Sequence, residues 1–401
     1  MEVRAFAPLD RPTDRSSENV VFPPLSIGTV AVTRPFSLLL DVIRFAAALL
    51  VFCHHAALGK FGSGLPYRLV ETDREPVILF FVLSGFVIAY SAQTKDRSPG
   101  TYALNRLARL YSVVLPALLL TALLEPIGQW LAPALYADHW TDAATLANIV
   151  RPVGTQLLAT GLFVNEIWWW DVWPGVNSPF WSLGYEAVYY LLYALVLWGG
   201  RFRWAWAALA ALVAGPKILL LLPLWVLGVA TYHAIKSEKM KRSQGYLVAV
   251  ASVLAYVLYI GLGGKTMLDR MSLQAFGPDA ALLLSNSQEF LSNYVTGLLF
   301  SALLIGLAAV AQDFAVPLYR LQKPIRALAG LTFTLYLLHY PLVYALRALV
   351  LATGLERFSP LIVTGGTLAL VALIAPVTEA QKGTFRRLMV RLTTRAERPA
   401  I

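Results

Sequence analysis

The sequence predicts an all-α integral membrane protein, a polytopic bundle of about ten transmembrane helices. Of its 401 residues, 58% are hydrophobic and only 14% are charged, and the mean hydropathy is +0.62. A soluble domain of this length needs more charge to cover its surface. Apolar runs also recur that are long enough, at ~1.5 Å per residue, to cross ~30 Å of hydrocarbon. We therefore expect most of the chain to lie within a bilayer.

The two ends of the chain differ in composition from the apolar middle. Residues 1–34 mix acidic, basic, Ser and Pro residues without periodicity, so we expect a disordered cytoplasmic tail. They lack the apolar core that a cleavable signal peptide requires. Residues 35–380 form the predicted transmembrane domain, and residues 381–401 form a basic cytoplasmic tail.

Apolar runs define the predicted spans. They lie near residues 36–58, 76–93, 111–131, 180–198, 203–215, 217–234, 245–263, 293–313, 328–350 and 359–378. The fifth and sixth runs are short and meet at Gly215-Pro216-Lys217, so one continuous helix there is an alternative that would invert everything downstream. The split is favoured because it places both termini on the cytoplasmic side. Most of the Lys and Arg residues that lie between the spans are then cytoplasmic as well.

The remaining features of composition limit the kinds of site and partner that fit the sequence. The single cysteine, Cys53, excludes an intramolecular disulfide and a thiol metal site. The net charge of +10 follows from the basic segments between spans, so we expect no nucleic-acid partner. The longest outer loop, 132–179, mixes acidic residues with tryptophans, a pattern typical of an interface belt or of sugar stacking. These residues are Asp138, Asp142, Glu166, Trp168, Trp169, Trp170, Asp171 and Trp173.

Arg44 and His55 place two ionisable groups inside the first predicted span. Eleven helical residues return to within ~20° of the starting face and rise ~16 Å, so the two side chains share one face at different depths. Asp41 lies near that face, whereas His54 points ~80° away. Ionisable groups within a span are costly and usually face a cavity or a partner. The alignment indicates a functional face; snorkelling of Arg44 and core packing of His55 are the structural alternatives.

Two further segments contain small or basic residues, one of them within a span and the other at the mouth of a span. The second span contains the stretch 80–86, in which Ser84-Gly85 is a small pair that lets neighbouring backbones approach closely. Arg106 and Arg109 lie three residues apart at the predicted cytoplasmic mouth of the third span. Their planar guanidinium groups suit a phosphate clamp, and positive-inside anchoring is the alternative.

The fourth and ninth spans each contain a buried ionisable group. Glu186 follows Trp181 and lies about one and a half turns inside the outer edge of its span, where a carboxylate indicates a role. His339 lies in the apolar ninth span. A structural hydrogen bond and a substrate contact explain His339 equally well.

These segments together resemble acyltransferase family 3, multispan membrane enzymes that acylate sugars and other acceptors. The family pattern begins with an arginine, ten residues and a histidine in the first span, matched by Arg44 and His55. A Phe-Phe-Val-Leu-Ser-Gly-Phe stretch follows, matched at 80–86. An Arg-x-x-Arg pair precedes the third span and is matched by Arg106 and Arg109.

The resemblance continues beyond the long outer loop and runs in order over residues 38–343. A Trp-Ser-Leu-Ser-x-Glu segment of the family is matched at 181–186, and the stretches at 223–228 and around His339 are similar to family segments. The chain departs from the pattern at Gly184, where the family commonly has serine, and in lacking the second acidic residue that often follows the glutamate.

The resemblance implies an enzyme that moves an acyl group, with acetyl expected, from cytoplasmic acyl-CoA to a hydroxyl of an envelope or exported carbohydrate. The acceptor would be a carbohydrate or a lipid-linked glycan, the setting the bacterial inner membrane and its lipids, and no metal would be needed. Each site residue then has an expected role. His55 and Glu186 are catalytic, Arg44, Arg106 and Arg109 bind the donor's phosphates, and Ser84, Trp181 and His339 contact substrate.

Two other classes of protein fit part of the pattern. A transporter of an acylated or anionic solute also places Arg, His and Glu within its spans. A glycan polymerase or lipid-linked sugar transferase also has many spans, but it needs outer loops that bind a lipid diphosphate. Arginine is sparse in the predicted outer segments, which disfavours this second class.

Overall fold

The computed structural model describes residues 32–65, 74–137, 148, 151–237, 240–277 and 282–396. These residues form helices and connecting segments without a β-strand, which confirms the predicted all-α class. The tail predicted for residues 1–34 falls almost entirely outside the described residues. So do Asp138 and Asp142 of the outer loop and residues 397–401 of the basic tail.

Sixteen α-helices, α1 to α16, follow one another along the described part of the chain. In order they are Arg34–Ala56, Glu75–Thr94, Pro99–Leu131, Pro133–Ala137, Val153–Gly161, Trp181–Trp198, Arg203–Ala214, Pro216–Ser237, Arg242–Gly261, Gly264–Phe276, Phe290–Val310, Ala315–Arg320, Gln322–Ala329, Thr332–Thr353, Gly366–Ile374 and Lys382–Ala396.

Nine helical segments of the described chain are long and apolar enough to cross a membrane. They are Arg34–Ala56, Glu75–Thr94, Pro99–Leu131, Ser178–Trp198, Pro216–Ser237, Arg242–Gly261, Leu282–Arg320, Thr332–Thr353 and Leu361–Leu392. The prediction of a polytopic helical bundle is therefore confirmed. The helix expected at 203–215 is α7, which has 12 residues and a length of only ~18 Å.

The break between α7 and α8 confirms the predicted split of the fifth and sixth apolar runs. Gly215 has φ +85°, and a Cβ at this position would lie 2.7 Å from the Cα of Trp168, so a continuous helix is excluded. The amide of Trp168 donates to the carbonyl of Ala214 at 2.9 Å. Because α6 leads away from the loop that contains Trp168 and α7 returns to it, the two helices run in opposite directions through the bundle.

Close packing between α2 and α8 depends on two glycines. A Cβ on Gly85 would lie 1.9 Å from the carbonyl oxygen of Trp225, and one on Gly228 would lie 2.0 Å from that of Val82. The backbones therefore touch at this crossing, as the small pair Ser84-Gly85 predicted. This contact fixes the position of Ser84 along the helix axis relative to the neighbouring helices.

Buried polar contacts hold the loop between α3 and α6 against the bundle. Lys217 and Glu166, both fully buried, form an ion pair of 2.8 Å. The side-chain amide of Asn177 donates to the carbonyl of Leu337 at 2.9 Å and to the hydroxyl of Thr121 at 3.1 Å. The loop is thereby attached to α14, the most buried of the nine spans, which lies at the centre of the bundle.

Candidate functional site

A cavity lies between α1, α2, α3, α6 and α14. Its wall combines apolar side chains with hydroxyl groups and three charged residues. The lining residues are Arg44, Val77, Phe80, Phe81, Leu83, Ser84, Val87, Arg109, Ser182, Leu183, Glu186, Thr332, Phe333 and Tyr336. Four separate helices thus bring Arg44, Ser84, Arg109 and Glu186 of the predicted site together.

Glu186 is oriented by two hydroxyl groups. Ser84 Oγ donates to Glu186 Oε1 at 2.6 Å, and the hydroxyl of Tyr190 donates to the same oxygen. The indole nitrogen of Trp225 donates to Ser84 Oγ at 3.2 Å, so the serine is itself held in place. These bonds stabilise a carboxylate that would otherwise be costly within a span. Ser84 is therefore part of the site through its bond to Glu186.

Arg44 and Arg109 project into the same cavity from α1 and α3. Arg44 lies 3.8 Å from Asp41, whose other oxygen pairs with Arg326. The charges of Arg109, Glu379 and Glu186 also act on the Arg44 guanidinium. The cavity is therefore a cluster of opposite charges, and the snorkelling alternative for Arg44 is not what the structure shows.

Arg106 does not line the cavity. Its guanidinium donates to Asp96 Oδ2 at 2.5 Å and to Ser91 Oγ at 2.8 Å, and the residue is buried. Of the two arginines expected to clamp phosphates, only Arg109 faces the empty space. Binding of the acyl donor by Arg106 stays a prediction. The ion pair with Asp96 by itself gives Arg106 a structural role.

His55 and His339 form a directly hydrogen-bonded pair. His55 Nδ1 and His339 Nε2 are 2.9 Å apart, and the two rings lie edge to edge, with their centroids 5.1 Å apart and an interplanar angle of 20°. The pair is not part of the cavity lining, but the ring of Tyr336, which lines the cavity, lies 6.4 Å from that of His339. The histidines therefore lie directly behind the wall that Tyr336 forms.

Trp181 is buried and packs edge-on against the rings of Phe81 and Tyr185. Its neighbour Ser182 lines the cavity instead, with its hydroxyl 2.8 Å from that of Tyr336. The predicted contact of Trp181 with substrate has no counterpart in this geometry and stays a prediction.

Gly184, the departure from the family pattern, lies against the outer loop. A Cβ at this position would lie 2.8 Å from Asn165 Oδ1, and that buried oxygen accepts no hydrogen bond within the described part of the chain. The loop residue thus takes the space of the missing side chain.

Glu379 is a site residue that the sequence analysis missed. Its carboxylate accepts hydrogen bonds from the amides of Phe333 at 3.0 Å and Thr334 at 3.3 Å, and so caps the N-terminus of α14 beside the cavity. The last predicted span ended at residue 378, which left this acid just outside. The reasoning applied to Glu186 concerns carboxylates within an apolar run, so it did not extend to Glu379.

These features define a polytopic membrane protein with a charged cavity among its spans and a histidine pair beside it. The chain belongs to acyltransferase family 3, since the family model described as "Acyltransferase domain" matches residues 38–379. This confirms the resemblance based on motifs. One relative, "Acyltransferase MdmB" of Streptomyces mycarofaciens, is 30% identical over 161 residues, which are 38% of this chain and 37% of that protein. No solved structure matches the chain.

Proposed function

We propose that this acyltransferase moves an acyl group, expected to be acetyl, from cytoplasmic acyl-CoA to a hydroxyl of an envelope or exported carbohydrate. The observation that carries the proposal is the cavity in which Arg44 and Arg109 meet Glu186 and Ser84 beside the histidine pair. Ionisable groups in a span need a polar chamber, and this one offers both cationic groups and hydroxyl groups.

Arg44 and Arg109 are the groups best placed to hold the donor's phosphates. Guanidinium groups bind phosphate oxygens through paired hydrogen bonds, and both arginines face empty space from different helices. His55 lies ~16 Å further along α1 than Arg44. The extended pantetheine arm of coenzyme A can cover such a distance, so phosphates at the arginines would place the thioester near His55.

His55 then acts as the general base. The acceptor hydroxyl gives its proton to the imidazole as its oxygen bonds to the thioester carbonyl carbon. The carbon–sulfur bond breaks, and the departing thiolate of coenzyme A takes the proton from the imidazolium. Glu186, held by Ser84 and Tyr190, orients the groups that enter the cavity.

The proposal of a carbohydrate acceptor is supported by the outer loop. Trp168, Trp169 and Trp170 are 41%, 47% and 49% exposed. Exposed aromatic faces beside the carboxylate of Asp171 suit the stacking of sugar rings. Placement in a bacterial inner membrane is part of the same proposal and agrees with a relative from a bacterium.

The test is transfer of labelled acetyl from acetyl-CoA to surface glycan in membranes that contain equal amounts of each variant. We expect His55→Ala to abolish transfer, because it removes the proposed general base. His233→Ala, which removes an exposed histidine at the end of α8, should leave transfer unchanged. Full activity of His55→Ala would remove His55 from the chemistry, and label released without attachment to an acceptor would favour a transporter.

A further inference from the structure

The hydrogen bond from His339 to its own helix fixes the proton on one ring nitrogen. His339 Nδ1 lies 3.0 Å from the carbonyl oxygen of Leu335. A carbonyl oxygen can only accept a hydrogen bond, so Nδ1 must carry the proton and donate it. His339 is 0% exposed, and this partner is neutral, so the neutral imidazole is favoured over the buried cation.

The proton on His339 Nδ1 determines the tautomer of His55. In a neutral imidazole with the proton on Nδ1, Nε2 is an acceptor. The 2.9 Å contact from this atom to His55 Nδ1 therefore requires His55 to donate from Nδ1. The chain of bonds runs from His55 to His339 to the carbonyl of Leu335. It leaves the basic lone pair of neutral His55 on Nε2.

We propose that His339 is a positioning residue that holds His55 in the Nδ1–H tautomer, so that Nε2 is the atom that takes the acceptor's proton. This inference rests on the proposed role of His55 as the general base. Which ring nitrogen of a histidine is basic is set by the hydrogen bond that the other nitrogen makes. When Nε2 of His55 takes the hydroxyl proton, the bond from Nδ1–H to His339 stabilises the imidazolium until the proton passes to the thiolate.

Both ring nitrogens of His339 are engaged within the protein, one by Leu335 and one by His55. This favours a positioning role over the direct substrate contact expected for His339 from the sequence. The planes of the two rings are within 20° of each other, the in-plane arrangement that a hydrogen bond between ring nitrogens requires.

Two substitutions separate the functions of the two nitrogens. The side-chain oxygen of His339→Gln extends to where Nε2 lies and can accept from His55. The side chain of His339→Asn reaches only as far as Nδ1 and removes the acceptor. We expect His339→Asn to lower kcat for acetyl transfer about tenfold or more, with KM for acetyl-CoA and acceptor unchanged, and His339→Gln to stay within about threefold of wild type.

The outcome is judged on protein whose amount and melting temperature match wild type. Equal activity of His339→Asn and wild type would overturn the proposal. A loss for His339→Gln as large as that for His339→Asn would also overturn it, because the acceptor at the Nε2 position would then make no difference.

A spectroscopic measurement on the wild type decides the tautomer without an activity assay, and so also covers the case in which the His339 variants do not fold. The protein contains five histidines, which can be labelled with ¹⁵N and observed by solid-state NMR. The signals that His55→Gln removes belong to His55. We expect them to show a protonated Nδ1 and an unprotonated Nε2 in the wild type. A proton on Nε2 of neutral His55 would overturn the inference. Retained transfer by His55→Ala would instead refute the proposed function and leave the tautomer result standing.

Discussion

Among single residues, Glu186 supplies the negative charge in the lining of the cavity. The same lining contains two arginines. One oxygen of Glu186 accepts hydrogen bonds from Ser84 and Tyr190. The sequence indicated Glu186 from its depth alone, but it could not show that Ser84, in a different helix, holds it. Contacts between helices that lie about a hundred residues apart depend on the fold, which no local pattern encodes.

We expect Glu186→Gln to lower acetyl transfer about tenfold or more, because the amide keeps the acceptor oxygen but removes the charge that acts in the cavity. Ser84→Ala is the matched comparison, since it removes one of two hydrogen bonds to Glu186 and leaves its charge. Its loss should be only a few-fold. Rates of labelled acetyl transfer measure both. A larger loss for Ser84→Ala than for Glu186→Gln would contradict a role for the charge.

The two arginines of α3 should respond differently to the same substitution. Arg109→Lys keeps the charge but loses the paired donors that a phosphate uses, so KM for acetyl-CoA should rise. Loss of one charge-assisted hydrogen bond, worth about 1.5–3 kcal/mol, corresponds to about a 10–100-fold change. Arg106→Lys should instead lower the amount and melting temperature of folded protein, because Arg106 pairs with Asp96.

Initial rates at varied acetyl-CoA and thermal melts in detergent measure these two effects. A rise in KM for Arg106→Lys with unchanged stability would return Arg106 to the donor site, where the sequence analysis placed it. An unchanged KM for Arg109→Lys would remove Arg109 from that site.

The contact between α2 and α8 positions the serine that holds Glu186. The sequence predicted the close approach from the pair Ser84-Gly85, and the structure adds Gly228 on the opposite helix. The sequence around Gly228 did not indicate its role, because glycine is frequent in transmembrane helices. Only the helix that packs against a glycine shows whether that glycine lies at a crossing.

We expect Gly85→Ala to lower the melting temperature and acetyl transfer together. The added Cβ would lie 1.9 Å from the carbonyl oxygen of Trp225, so the two backbones must separate, and overpacking of this kind costs about 1–3 kcal/mol. Gly261→Ala is the control, because nothing lies within 4 Å of a Cβ there. Thermal melts in detergent compare them. A Gly85→Ala protein as stable as Gly261→Ala would contradict the crossing described.

For the whole molecule, the ten predicted apolar runs include, in order, all nine helical segments of the described chain that are long and apolar enough to cross a membrane. Hydrocarbon requires that every spanning segment satisfy its own backbone hydrogen bonds, so length and hydropathy are informative. The short helix α7 shows the limit of that rule. Its 12 residues fall below the length of a span, and only the bond from Trp168 to Ala214 shows that it returns to the outer loop.

The side of the membrane on which each later segment lies depends on whether α7 crosses the membrane. Cysteine labelling in a Cys53→Ser background tests this. We expect an impermeant maleimide to label Trp169→Cys in intact cells and Ser243→Cys only after permeabilisation, because three crossings separate the two positions. The reverse pattern would place the termini outside. Labelling of both in intact cells would mean that α7 does not complete a crossing.

The proposed function requires the cavity between α1, α2, α3, α6 and α14 to hold the acyl donor. Photo-crosslinking with a photoreactive, non-transferable acyl-CoA analogue, followed by peptide mapping, tests it most directly. We expect crosslinks on cavity residues of α2 such as Phe80 and Val87, lost when unlabelled coenzyme A competes and weakened by Arg109→Lys. Crosslinks confined to the cleft of the outer loop near Gln129 and Arg151, with none in the cavity, would contradict the claim.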